Sequence, residues 1–168
     1  MRPVSIRSFA IGVAVIVAAA FVAETAALTI TTAGISFPEV TLNGSPQTID
    51  GSTSAWRADA TGESGGWKVT VSSTDFLNGS GKTIAVSNFE IRLQDANIAW
   101  VSGDTDEPIS TQTSFAALSG TALKIASAAV GESNGVYDLT PDFRLTVPAE
   151  TYSGNYTATV TADISVGP

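Results

Sequence analysis

Apolar residues fall on every second position in several stretches of the chain, and nowhere do they follow the 3.6-residue period of a helix. Trp67, Val69 and Val71 alternate with Lys68, Thr70 and Ser72. The same period recurs at Phe89, Ile91 and Leu93, and again at Phe143, Leu145 and Val147. Its longest run puts Tyr156, Ala158, Val160, Ala162, Ile164 and Val166 on one side and Thr157, Thr159, Thr161, Asp163 and Ser165 on the other. Each such stretch is a strand with one face to bury, because successive side chains of a strand point to opposite faces. The pattern predicts strands over 28–31, 35–42, 55–60, 67–73, 83–94, 98–101, 122–128, 142–147 and 156–166.

Between these runs lie turn formers, Asn43-Gly44-Ser45-Pro46, Asn78-Gly79-Ser80-Gly81 and Ser153-Gly154-Asn155. They punctuate hairpins, and Gly154 is expected at positive φ. Residues 102–119 lack a clear period and read as a long exposed loop with a short helix over 115–118. Strands that each bury one face are satisfied by two sheets packed together. The expected fold is therefore all-β, an antiparallel β-sandwich of Ig-like or Greek-key type.

The N-terminus departs from this picture. Arg2 and Arg7 precede an unbroken small and apolar run over 9–23, and Thr25-Ala26-Ala27 offers a small-x-small cleavage site. The run is shorter than the roughly 20 residues of a membrane-spanning helix. Residues 1–27 thus read as a helical signal peptide, with an uncleaved anchor as the competing reading, and 28–168 as one exported β-sandwich domain. No membrane span is expected after cleavage.

Charge narrows the partners. The chain carries 8 basic and 16 acidic residues. Cleavage after Ala27 removes Arg2, Arg7 and Glu24, leaving 8 − 2 = 6 against 16 − 1 = 15, a net charge of −9. Such a domain repels nucleic acid. The absence of cysteine rules out a disulfide framework, and about 140 residues suffice for a core without one.

Histidine is also absent. Ser-His-Asp and Cys-His catalysis and the usual zinc sites are thereby excluded. A glycosidase needs only two carboxylates about 5–10 Å apart, but the acids here fall in turns and on solvent-facing strand positions. The expectation is a protein that is no enzyme and has no cofactor. Asp104, Asp106 and Glu107 carry the hard oxygen ligands that calcium prefers, without EF-hand spacing. A solvated acidic loop is the competing reading.

Exposed aromatics are a common means by which β-sandwiches stack on sugars or dock on proteins. Trp67 shares a face with Val69 and Val71 and is expected in the core. Trp56 and Trp100 lie near predicted strand ends and are the candidates for contact with a glycan or a protein partner.

Gly66-Trp67-Lys68-Val69-Thr70-Val71 with Asp75-Phe76, and the closing stretch 147–160 with Tyr152, Gly154, Tyr156 and Val160, resemble the WxL-domain surface proteins of Gram-positive bacteria. The order of elements fits over most of residues 28–168, while the specific motifs occupy two short stretches. Val69 stands where the first motif has leucine, and Tyr156-Thr157-Ala158 replaces the second Trp-x-Leu. Both departures preserve the alternating apolar face. The resemblance implies a secreted bacterial β-rich domain held non-covalently on the cell wall or in a complex of surface proteins, with Trp67, Val69 and Tyr156 as its motif residues. The rival is a subunit of an extracellular fibre or sheath, self-associating by strand exchange, with residues 28–31 donated to a neighbour's sheet edge.

Overall fold

The computed structural model describes residues 11–15, by their backbone, and residues 28–168. In chain order the strands are β1 (Ile11–Val15), β2 (Thr29–Thr31), β3 (Ile35–Ser36), β4 (Gln47–Thr53), β5 (Trp56–Asp59), β6 (Trp67–Ser73), β7 (Phe76–Asn78) and β8 (Thr83–Ile84). They continue as β9 (Phe89–Arg92), β10 (Ile98–Gly103), β11 (Ile109–Ser110), β12 (Ala116–Ala117), β13 (Leu123–Ala128), β14 (Gly135–Leu139), β15 (Asp142–Val147) and β16 (Tyr156–Val166). Single 3₁₀ turns precede β9 and β10.

These strands form an all-β sandwich. The larger layer runs β11-β13-β6-β16-β1-β3-β4-β15-β9-β12, with β7 against the start of β16 and β8 against β7. The smaller runs β10-β14-β5-β2. Pairings among residues 28–168 are antiparallel, and β1 lies parallel to β16.

Aromatic contacts bind the layers at two places. Trp67 of β6 meets Tyr137 of β14 at 6.0 Å between ring centroids, and Trp56 of β5 meets Phe143 of β15 at 5.7 Å. Phe143 stacks on Phe89 at 5.5 Å, and Phe89 makes T-shaped contacts with Phe76 and Phe37. The smaller sheet thereby contacts both the β6 side and the β15 side of the larger layer. The alternating runs supply this core: Val69, Val71, Ile91, Leu145 and Val160 are fully buried.

Several elements differ from the sequence expectation. The strand expected over 35–42 is confined to Ile35–Ser36, because Pro38 lacks the N–H that a ladder needs, although Phe37 and Val40 still reach the core. The strand expected over 83–94 is interrupted by the 3₁₀ turn Val86–Asn88, whose first N–H is held by Asp75 Oδ1 at 2.7 Å. Residues 102–119 are not a free loop, nor is there a helix over 115–118. β11 pairs with β13, and β12 with β9. Phe115 lies beneath the guanidinium groups of Arg92 and Arg144, 4.5 and 4.0 Å from its ring.

The helix expected within residues 1–27 falls mostly outside the described residues. Its described part, Ile11–Val15, is strand rather than helix: β16 has an edge there whose backbone groups an extended segment satisfies. Gly154 has φ +152°.

Candidate functional site

The motif residues are structural. Trp67, Val69 and Tyr156 are fully buried. Trp67 Nε1 donates to the Ser133 carbonyl at 3.0 Å, which satisfies the one polar atom of an otherwise apolar ring. The Tyr156 hydroxyl donates to the Tyr152 carbonyl at 3.1 Å, and burial raises its pKa above the ordinary tyrosine value.

The two remaining tryptophans part company. Trp56 is fully buried against Phe143, with Nε1 directed at Thr53 Oγ1 at 3.3 Å. It has no surface to offer a partner, because β5 is an inner strand whose alternate positions, Trp56 and Ala58, face the core. Trp100 is 48% exposed.

That exposure goes with the place of β10 at the edge of its sheet, where Trp100 stands level with the buried Tyr137 of β14. The register of β10 against β14 slips between Trp100 and Ser102, so that one extra residue, Val101, has no partner. Such a bulge breaks strict alternation and re-aims side chains. Every residue of β10 after Ile98 is exposed. β10 is also the outer strand of its sheet, and Glu107 Oε1 accepts the Trp100 N–H at 3.0 Å, which blunts that edge.

The acidic segment joins this edge to the other layer. It leads from β10 to β11, where Ile109 is 64% exposed. Tyr137 anchors it from below, its hydroxyl 2.7 Å from the Asp104 carbonyl and 3.0 Å from that of Asp106. Burial, then the charge of Asp104, push the Tyr137 hydroxyl up to about 12. Trp100, Val101 and Ile109 are thus exposed apolar residues that flank the acidic segment in the chain.

Two of the segment's carboxylates, Asp104 and Glu107, are engaged in shaping the loop. Asp104 Oδ1 accepts the Asp106 N–H at 3.2 Å, while Glu107 holds Trp100. Among the described residues no group of three or more His, Cys, Asp or Glu side chains converges as a cation site.

A second surface was not read from the sequence. Gly81, Lys82, Thr83, Pro148, Glu150, Thr151, Tyr152 and Tyr156 line an open cleft of about 340 Å³. Lys82 Nζ lies 4.2 Å above the ring of Tyr152, which is 60% exposed. The cleft joins the 78–81 hairpin turn to the segment before β16, residues nearly seventy positions apart in the chain. No local pattern marks that meeting.

No family model matches the chain, and no curated protein matches it. Among solved structures it is similar to a family 123 glycoside hydrolase from Clostridium perfringens studied for glycolipid glycan hydrolysis, at 15% identity and a TM-score of 0.39. The likeness covers 73% of this chain and spans 18% of that one.

Proposed function

We propose that the chain is a secreted, non-catalytic surface domain that attaches to the cell wall or to another surface protein through the Trp100 edge. The observation that carries this reading is the half-exposed Trp100 on an outer strand, next to the bulged and exposed Val101 and close in the chain to the exposed Ile109. A flat aromatic at a sheet edge stacks on sugar faces or fills a pocket in a protein partner. The acidic surroundings disfavour anionic partners.

Incubating the protein with isolated Gram-positive cell walls tests the reading. Retention above that of an unrelated acidic protein is expected, falling at least tenfold in Trp100→Ala while the melting temperature stays in place. Equal retention of both proteins, or of both variants, overturns it.

The fibre or sheath subunit is the second reading. The parallel seat of β1 between β16 and β3 favours it.

A further inference from the structure

The strand order has a seam at β1. β16 belongs with β6, β13 and β11, β3 belongs with β4, β15, β9 and β12, and β1 lies between the two groups. It matches β16 at five positions, Ile11 to Tyr156 through Val15 to Val160, and touches β3 through Gly12 and Ser36. Register fixes what the seat accepts. Positions 11, 13 and 15 stand level with Tyr156, Ala158 and Val160, which are buried, and positions 12 and 14 with Thr157 and Thr159, which are not. The occupant must therefore alternate large apolar with small or polar residues, as Ile-Gly-Val-Ala-Val does.

The same five residues precede the cleavage site read after Ala27. Cutting there detaches β1 from the rest of the chain, so that the side of β16 that β1 covers is held by a separate peptide, while its other side stays paired with β7 and β6. Leu28-Thr29-Ile30-Thr31, the new N-terminus, repeats the required alternation. In the uncut chain it supplies only the three residues of β2, an outer strand paired with β5.

We propose that the position between β16 and β3 is a strand-acceptor site. Residues 11–15 hold it in the uncut chain, and residues 28–31 of a second copy fill it once 1–27 are removed. The incoming strand runs parallel to β16 with Leu28 level with Tyr156, Thr29 with Thr157 and Ile30 with Ala158. It closes the seam between the two groups of strands and trades three outer pairings for a position flanked on both sides. Each copy both gives and receives a strand, so the contact is head-to-tail and propagates into a filament unless it closes into a ring. The proposal rests on the fibre reading above.

The experiment uses the full chain with a site-specific protease sequence placed between Ala27 and Leu28, folded first and cut afterwards. Thr29→Cys and Thr157→Cys are introduced in separate copies and mixed. Both positions are exposed and the chain has no other cysteine. Before cutting, monomers without a cross-link are expected. After cutting, mass rises with concentration and a disulfide joins the two kinds of copy under mild oxidation. A cut protein that stays monomeric and uncross-linked overturns the proposal, whether or not the 1–27 peptide leaves. Loss of the β-sheet circular dichroism signal without assembly also overturns it, as does equal cross-linking before cutting. A cut protein that assembles without the cross-link between positions 29 and 157 refutes this acceptor site and leaves the fibre reading standing, a cut protein that stays monomeric refutes both, and export and processing in cells are read separately from the secreted chain's N-terminus.

Discussion

Trp67 and Trp100 carry the same side chain to opposite ends because of the backbone beneath them. Gly66 holds φ at +73°, and a Cβ there would lie 2.7 Å from the Ala128 carbonyl oxygen. The chain therefore enters β6 in close contact with the end of β13, and Trp67 passes directly into the core. Gly44 has a similar φ of +79° with nothing within 4 Å of a Cβ. Replacing each with alanine separates two costs. Gly44→Ala bears the left-handed strain alone, about 1 kcal/mol. Gly66→Ala adds a clash with backbone and is expected to lose at least about 2 kcal/mol more. Urea midpoints of the two variants check this, and equal losses would show that the close approach is not maintained. At the tryptophans the expected order is a loss of about 3–5 kcal/mol for Trp67→Ala and less than about 0.5 for Trp100→Ala, read from the same midpoints.

Whether an element was legible in the sequence depended on how regularly one face is buried. β6 reads buried, half-buried, buried along its whole length, and β15 does the same in opposite phase, so period two marked both. β16 keeps its alternation through Ala162, after which Ile164 is half-buried and Val166 is 57% exposed as the strand runs past the core. Its buried positions are intolerant of charge: Val160→Lys is expected to abolish the folded circular dichroism signal, whereas Asp163→Lys on the outer face shifts the urea midpoint by less than about 0.5 kcal/mol equivalent. β4 was missed because Gln47–Thr53 has no fully buried face, and its Gly51 is there to admit Phe37, whose ring carbon lies 2.6 Å from where a Cβ would stand. β14 was missed because its first inward position is Gly135, which gives no apolar signal but leaves room for the Ser102 carbonyl of β10. Half of the candidate site was legible. Trp100 was named from its place near a strand end, but Trp56 looked equivalent, because the outer place of β10 and the packing of Phe143 on the inner strand β5 are long-range facts that no local pattern carries.

The two sheets and the acidic loop meet at Tyr137, which makes the molecule as a whole sensitive to alkaline pH. Its ring packs on Trp67 across the layers, and its hydroxyl donates to the carbonyls of the loop that carries Asp104 and Asp106. Removal of that proton would place an anion in a fully buried position among carbonyl oxygens and carboxylates, which is why the hydroxyl is pushed up to about 12, by burial first and by Asp104 next. An unfolded tyrosine titrates near 10. Below that value the hydroxyl is protonated in both states and the contact contributes fully. Between about 10 and about 12 the unfolded chain has released its proton while the folded chain retains it, so unfolding releases protons and stability falls as pH rises. The slope is about 1.4 kcal/mol per pH unit, roughly 2–3 kcal/mol over the window. Burial raises Tyr156 in the same direction and adds to the loss. Urea midpoints of the wild-type chain at pH 9 and pH 11 are therefore expected to diverge by more than those of Tyr137→Phe. That variant loses about 1 kcal/mol at neutral pH for the missing hydrogen bond and then declines less steeply, keeping the share that belongs to Tyr156. Parallel declines in both proteins would mean that Tyr137 is not the group that couples the acidic loop to the sandwich.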